Sequence, residues 1–161
     1  MSDTPDVPDV AVNLATQFEG EVLHPYDDGT GTWSLGFGSI WDWRNDPPTR
    51  VTPDTPPIDD PTARAWMKRE LVQAAEAVAA DVKVTLTDNQ RGALEDFVFN
   101  LGPGNFAAST LLRDLNACNY QAAAGQFELW DHAGGVELAG LLRRRLAEAA
   151  LFQQPDAPTA T

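Results

Sequence analysis

One cysteine, Cys118, occurs in the whole chain of 161 residues. An internal disulfide is therefore excluded, stability has to come from packing, and the composition suits a reducing cytoplasm. In its small-residue setting, Asn116-Ala117-Cys118, the thiol reads as structural. Positive charge is scarce too: 11 Lys and Arg against 24 Asp and Glu leave a formal net charge of −13. That balance argues against nucleic acid and anionic membrane surfaces as partners. Long apolar runs are missing. No stretch approaches the ~20 apolar residues needed to cross a bilayer, so membrane insertion is not expected. Met1 to Asp9 has no basic residue and Val10 to Ala15 is interrupted by Asn13, so no signal peptide is read. Only two histidines occur, His24 and His132, and both read as surface residues.

What is present describes an ordinary globule. With 43% hydrophobic residues the chain is long enough to bury one domain's core. Residues 1–9 and 153–161 read as flexible tails flanking a single domain, 10–152. A first helix is predicted from about Val10 into Glu19, with Leu14 and Phe18 on one face and Gly20 ending it. About 20–58 form a hairpin and loop lobe. There Asp28-Gly29-Thr30-Gly31 reads as a turn and Thr32 to Gly38 as a strand. Trp33, Leu35 and Phe37 fall on one strand face, and Ser34, Gly36 and Gly38 on the other, where something approaches the backbone closely. Asp46 to Pro61 reads as an irregular Pro-rich loop.

The remainder is helical in pattern. Asp60-Pro61 reads as an N-cap followed by Pro at the first helical position. Met67, Leu71, Ala75, Val78 and Val82 then make one stripe, predicting a linking helix over about 61–82. A helical lobe follows over 87–152: Thr87 with Gln90 forms a capping box, and Gly102-Pro103-Gly104 stops that helix. Shorter helices are expected over about 107–116, 119–130 and 137–152, with a turn over 131–135. The fold class is α+β, mainly helical, with a small β-hairpin lobe, a larger helical lobe and a long helix joining them. A ligand is expected in a cleft between such lobes. No cofactor and no metal site are expected, and a monomer is.

The chemistry concentrates in three residues. Glu19 ends an amphipathic helix beside Phe18, where a carboxyl lying against apolar surface stays protonated and can donate a proton. Asp28 opens the hairpin turn, where a carboxylate stays ionised, and Ser34 offers a hydroxyl that can hold a water. Acid, base and held water make up an inverting glycosidase, whose carboxyl groups stand roughly 6.5–9.5 Å apart. Equally, Glu19 could solvate a helix end and Asp28 shape a turn.

Resemblance separates these readings. Phe18-Glu19-Gly20, Pro25-Tyr26-Asp27-Asp28 and Gly31-Thr32-Trp33-Ser34-Leu35-Gly36-Phe37-Gly38 resemble the signature of phage-type lysozymes, the endolysin-like glycoside hydrolase family 24. That family carries Glu, eight residues, Asp, five residues, Thr; this chain has Glu19, eight residues, Asp28, five residues, Ser34. Leu86 to Gln90, Phe99 to Gly104, Ser109 to Leu112 and Trp130 to Arg145 extend the resemblance over roughly 10–152. It implies a lysozyme-like fold and a muramidase that hydrolyses the β-1,4 bond between N-acetylmuramic acid and N-acetylglucosamine in peptidoglycan, for bacteriolysis. It implies Glu19 as general acid, Asp28 as general base or water-orienting carboxylate, and Ser34 as helping to hold the attacking water. It also implies Ile40, Phe99, Asn100 and Ser109 as lining for the sugars, although Phe99 reads equally well as a core aromatic. Trp130 reads as core, and Arg143, Arg144 and Arg145 as a partly paired, solvated helix face. The expected setting is synthesis in the bacterial host cytoplasm and action on the wall after release, with a holin as a possible partner.

The chain departs from the family in having Ser34 for Thr, Ser39 where many members have His, and a strongly acidic balance. Two rivals remain at this stage. A lytic transglycosylase would use one acid and leave an anhydro sugar; Asp28 and Ser34 argue against it. A non-catalytic wall-binding protein of the same fold would be expected to have lost Glu19 or Asp28.

Overall fold

Residues 4–156 are described by the structure, a computed structural model. They form two compact bodies, Ala15–Glu70 and the residues up to Leu14 together with those from Leu71 onward. Helix α1 (Asp9–Phe18) runs through the boundary.

In the first body β1 (Val22–Asp27) pairs antiparallel with β2 (Trp33–Gly36), with Tyr26 opposite Ser34 and Asp27 opposite Trp33. The register slips between Val22 and Tyr26. Pro25 lies in that interval, and having no N–H it could not have donated to the ladder. The turn after β1 is built by Asp27, whose Oδ1 accepts the N–H groups of Gly29 (2.9 Å) and Gly31 (3.0 Å). Strand β2 stops at Gly36, two residues short of the predicted end. Gly36 and Gly38 have φ of +68° and +89°, so the chain reverses there, and Leu35 and Ser39 exchange backbone hydrogen bonds at 2.9 and 3.0 Å. The group approaching the glycine face is the protein itself: a Cβ on Gly36 would meet Ala63 and Ile58 at 3.3 Å.

A further hairpin joins β3 (Trp41–Asp42), which lies ahead of the predicted irregular loop, to β4 (Thr49–Arg50), which lies inside it. Pro47 and Pro48 sit in the connection and leave both strand pairs intact. Helix α2 (Asp60–Glu70) is capped one residue earlier than expected: Asp59 Oδ1, not Asp60, accepts the N–H of Thr62 at 3.0 Å. Leu35, Val51 and Trp66 form this body's core, with Trp33, Trp43 and Ile58 packed against it.

The predicted linking helix is divided at Leu71, after which α3 (Val72–Asp81) begins. Leu71 keeps helical dihedrals and is fully buried, so the apolar stripe continues although the hydrogen-bond ladder lapses. Side-chain period reports a shared face, not an unbroken ladder. Helix α4 (Asp88–Leu101) starts at the capping box of Thr87 and Gln90 and ends at Gly102, whose φ is +93°. Its Ala93, Leu94, Phe97 and Val98 are buried at the centre of the second body. At Gly92 the approach is closest: a Cβ there would stand 2.7 Å from Val10, so α1 and α4 meet only because the side chain is absent.

Around α4 pack α5 (Pro103–Ala107), α6 (Thr110–Asn116), α7 (Tyr120–Gln126) with the 3-10 turn Phe127–Leu129, and α8 (Ala139–Gln153). A small hairpin, β5 (His132–Ala133) with β6 (Val136–Glu137), turns through Gly134 and Gly135. Trp130 packs against the core as expected.

One reading needs correction. Arg144 and Arg145 are not on a solvated face: they are 4% and 1% exposed, while Arg143 is exposed. Buried acids explain the difference. Arg144 grips Asp96 through Nε (3.0 Å) and Nη2 (2.6 Å), and Arg145 Nη1 donates to both oxygens of Glu148 at 2.5 and 2.6 Å. Cys118 is exposed and takes φ +60° just past the end of α6, a backbone state usually given to glycine.

Candidate active site

Glu19 directly follows α1, and its N–H still donates to Ala15 O at 3.1 Å, so the helical turn carries over into it. Its side chain is half-buried. Asp28 is exposed at the end of β1 and is held by its own turn. Its Oδ1 accepts from the Thr30 N–H at 2.8 Å, the Thr30 hydroxyl at 2.6 Å and, more weakly, the Thr32 N–H at 3.4 Å. The Thr30 hydroxyl and N–H, which favour the charged form, keep the Asp28 carboxyl below the usual aspartate range. Ser34 lies on β2 opposite Tyr26 and is 5% exposed. Its hydroxyl has no hydrogen-bond partner among the described residues. Ile40 is half-buried just after the Leu35–Ser39 reversal, and its carbonyl accepts from the Val51 N–H at 3.0 Å. All four belong to the first body.

Phe99, Asn100 and Ser109 belong to the second. Phe99 is half-buried and packs against the core, so the core reading of that aromatic holds. Asn100 is exposed near the end of α4, with its Oδ1 bound by Arg145 Nη2. Ser109 is buried and caps α6: its Oγ accepts from the Leu112 N–H at 3.0 Å and donates to Phe106 O at 2.7 Å. Both hydroxyl functions are thus used locally.

Two residues escaped sequence reasoning. Thr30 is one; the Asp-x-Thr spacing of an Asx turn was the available signal. Arg145 is the other; its i,i+3 spacing to Glu148, the one acid on a helix rich in Ala and Leu, pointed to an internal pair. Besides holding Asn100 and Glu148, its Nε donates to Trp130 O at 3.0 Å. Among the described residues no group of three or more His, Cys, Asp or Glu is placed to hold a metal. None of their helices is long and apolar enough to cross a membrane.

The description "Phage lysozyme" belongs to the family model that matches residues 16–148. The chain belongs to the phage lysozyme family. It is 39% identical to the endolysin of Salmonella phage P22 over 134 residues, covering 83% of this chain and 88% of the relative. A crystal structure of a P22 lysozyme mutant matches with a TM-score of 0.84 at 33% identity, covering 93% of this chain and 99% of that one. The muramidase domain of SpmX from Asticaccaulis excentricus matches with a TM-score of 0.73 at 31% identity, over 92% and 98% of the two chains. The fold is accordingly α+β, mainly helical and lysozyme-like. The enzyme class is that of the family, a glycoside hydrolase.

Proposed function

We propose that this muramidase hydrolyses the β-1,4 bond between N-acetylmuramic acid and N-acetylglucosamine in peptidoglycan by an inverting acid/base mechanism. Glu19 gives its proton to the glycosidic oxygen as that bond breaks. A water held by Ser34 attacks the anomeric carbon from the opposite face, and its proton passes to Asp28. The observation that carries the assignment is the difference in setting between the two carboxyls. Asp28, exposed and bound by the Thr30 and Thr32 donors, is kept ionised as a base requires. Glu19, half-buried at a helix end, has the position of the donor. The unpartnered hydroxyl of Ser34, on the strand beside the Asp28 turn, suits it to hold water. Ile40, Phe99 and Asn100 are the candidates for contact with sugar, whereas Ser109 contributes by fixing the start of α6. On this reading the enzyme works as a monomer, is made in the host cytoplasm and reaches the wall on holin-dependent release.

Glu19→Gln tests the acid. The folded variant should lose ~10²–10⁴-fold in wall clearing, the usual worth of general acid catalysis. Activity above about a tenth of wild type would place the acid elsewhere. Mass spectrometry of the products tests the reaction itself: hydrolysis gives reducing ends, and anhydro ends would make the protein a lytic transglycosylase. Clearing without new ends, or none at all, would leave it a wall binder.

A further inference from the structure

We propose that Trp41 and Arg50 on the β3–β4 hairpin form a second contact for peptidoglycan, with the Trp41 ring against a sugar and Arg50 on a carboxylate of the peptide stem. The proposal rests on the muramidase reading for its choice of ligand. The two residues sit directly opposite each other across the hairpin, and the Arg50 guanidinium lies over the Trp41 ring at 4.7 Å. Trp41 is 37% exposed, a large aromatic in the open on a two-residue strand.

Two similar pairs in the same body show what a purely structural Arg–Trp contact looks like here. Arg44 lies over Trp66 at 5.7 Å, but its donors are committed: a fork onto Asp42 at 2.8 Å on each arm, and Pro56 O at 3.1 Å. Trp66 itself is buried. Arg69 lies over Trp43 at 5.8 Å; its guanidinium also has no hydrogen bond or ion pair among the described residues, but Trp43 is half-buried and spends its indole N–H on Glu70 at 3.3 Å. At the outer pair nothing is committed. Among the described residues neither the Arg50 guanidinium nor the Trp41 indole N–H has a hydrogen bond or ion pair.

The pair is nonetheless held in place. Ser39, 3% exposed, accepts the Trp41 N–H on its Oγ at 3.2 Å and donates to Trp41 O at 2.9 Å. The antiparallel register and the ring then limit where the Arg50 fork can go. A ligand meeting this surface finds an aromatic edge and five N–H donors already ordered, which lowers the entropy cost of binding.

Charge selects the occupant. The chain carries −13 and its substrate polymer is anionic, so the two repel at long range. Residues 41–50 hold two acids and two arginines, and one acid, Asp42, is neutralised by Arg44. The hairpin is therefore a place where an acidic protein offers an uncommitted cation. A pyranose face and a nearby carboxylate are what peptidoglycan presents together.

The test is co-sedimentation at 4 °C with purified sacculi, native and with their carboxyl groups amidated. Wild type, Trp41→Ala, Arg50→Ala and Arg50→Lys are compared, with circular dichroism to check folding. Trp41→Ala and Arg50→Ala should bind native sacculi about three- to tenfold more weakly, the scale of one partly desolvated cation or ring contact. Amidation relieves the long-range repulsion for every protein alike, so the wild type should lose a similar factor relative to Arg50→Ala when the two are compared on native and amidated sacculi. Arg50→Lys should recover part of the loss, since the charge stays and the planar stack does not. Equal binding of all four proteins to native sacculi overturns the proposal, as does an equal change on amidation for wild type and Arg50→Ala. If Arg50→Ala fails to fold, Arg50→Gln takes its place in the same comparison. Failure of the muramidase reading would look different: no new ends released from sacculi by the wild type, whatever the variants bind.

Discussion

The two bodies treat carboxylates in opposite ways. In Ala15–Glu70 the acid at the hairpin turn, Asp28, is fully in the open, and hydroxyl and N–H donors hold it ionised. In the other body Asp96, Glu95 and Glu148 are 0–1% exposed inside a helical core. There burial dominates. Glu95 is pushed up to about 7, with Arg91 opposing and Asp6 and Asp88 adding to the effect. One of its oxygens meets Arg91 at 3.3 Å, and the other has no partner among the described residues. Burial likewise drives Glu148 upward, against the pull of the Arg145 fork. A turn ionises an acid cheaply because loop N–H groups are free to face it. A helix interior has no such donors, its backbone being fully bonded, so charge there has to be matched by arginine.

The comparison is broken most severely at Arg145. Arg145→Met should cost about 3–5 kcal/mol, because it strands Glu148 and releases Asn100 and the Trp130 carbonyl. Denaturant unfolding measures the loss. The double variant Arg145→Met/Glu148→Leu should regain much of it, since two matched apolar groups replace a matched ion pair. Should the double variant be no better than the single one, the buried pair is not the unit that matters.

Glu95→Gln sharpens the same point with a smaller effect. A carboxyl raised from 4.5 to about 7 on folding stabilises nothing when ionised. Its cost is absent below about 4.5, grows as pH rises, and is complete above about 7. At pH 8 the variant should therefore be more stable than wild type, by about 3 kcal/mol at ~1.4 kcal/mol per pH unit. Near pH 4 the two should coincide. Unfolding curves across this range check it, and a constant difference would assign the effect to packing.

The smallest effect is expected in the open turn. Thr30→Val removes the hydroxyl donor from Asp28 and leaves the N–H donors in place. Because the native carboxyl is held low, Asp28 stays ionised as the medium acidifies; without the hydroxyl it protonates sooner. The acid limb of the pH–activity profile should then move upward while activity near pH 7 changes little. An unmoved limb would mean that another group controls it.

Much of this arrangement was legible in the chain. Capping at Thr87 and Gln90, the stop at Gly102 and the turn after Asp28 are local chemistry, each set by two to four neighbouring residues. The spacing of Glu19, Asp28 and Ser34 is likewise a sequence property, and the family membership follows it. What stayed hidden depends on partners distant in sequence. The Arg144–Asp96 contact joins residues 48 apart, and nothing near Arg144 announces a buried acid on α4. The β3–β4 hairpin was hidden for a different reason: its strands are two residues each, too short to show any period.

By itself, the sequence determined most helical segments, the first hairpin, the family and the candidate acid, base and hydroxyl, because these rest on local pattern and spacing. Only the tertiary structure decided which charges lie inside, that Ser109 spends its hydroxyl on a cap, and that Arg50 stands uncommitted beside Trp41. Burial and pairing depend on what the rest of the chain brings to a side chain, and composition carries no record of that.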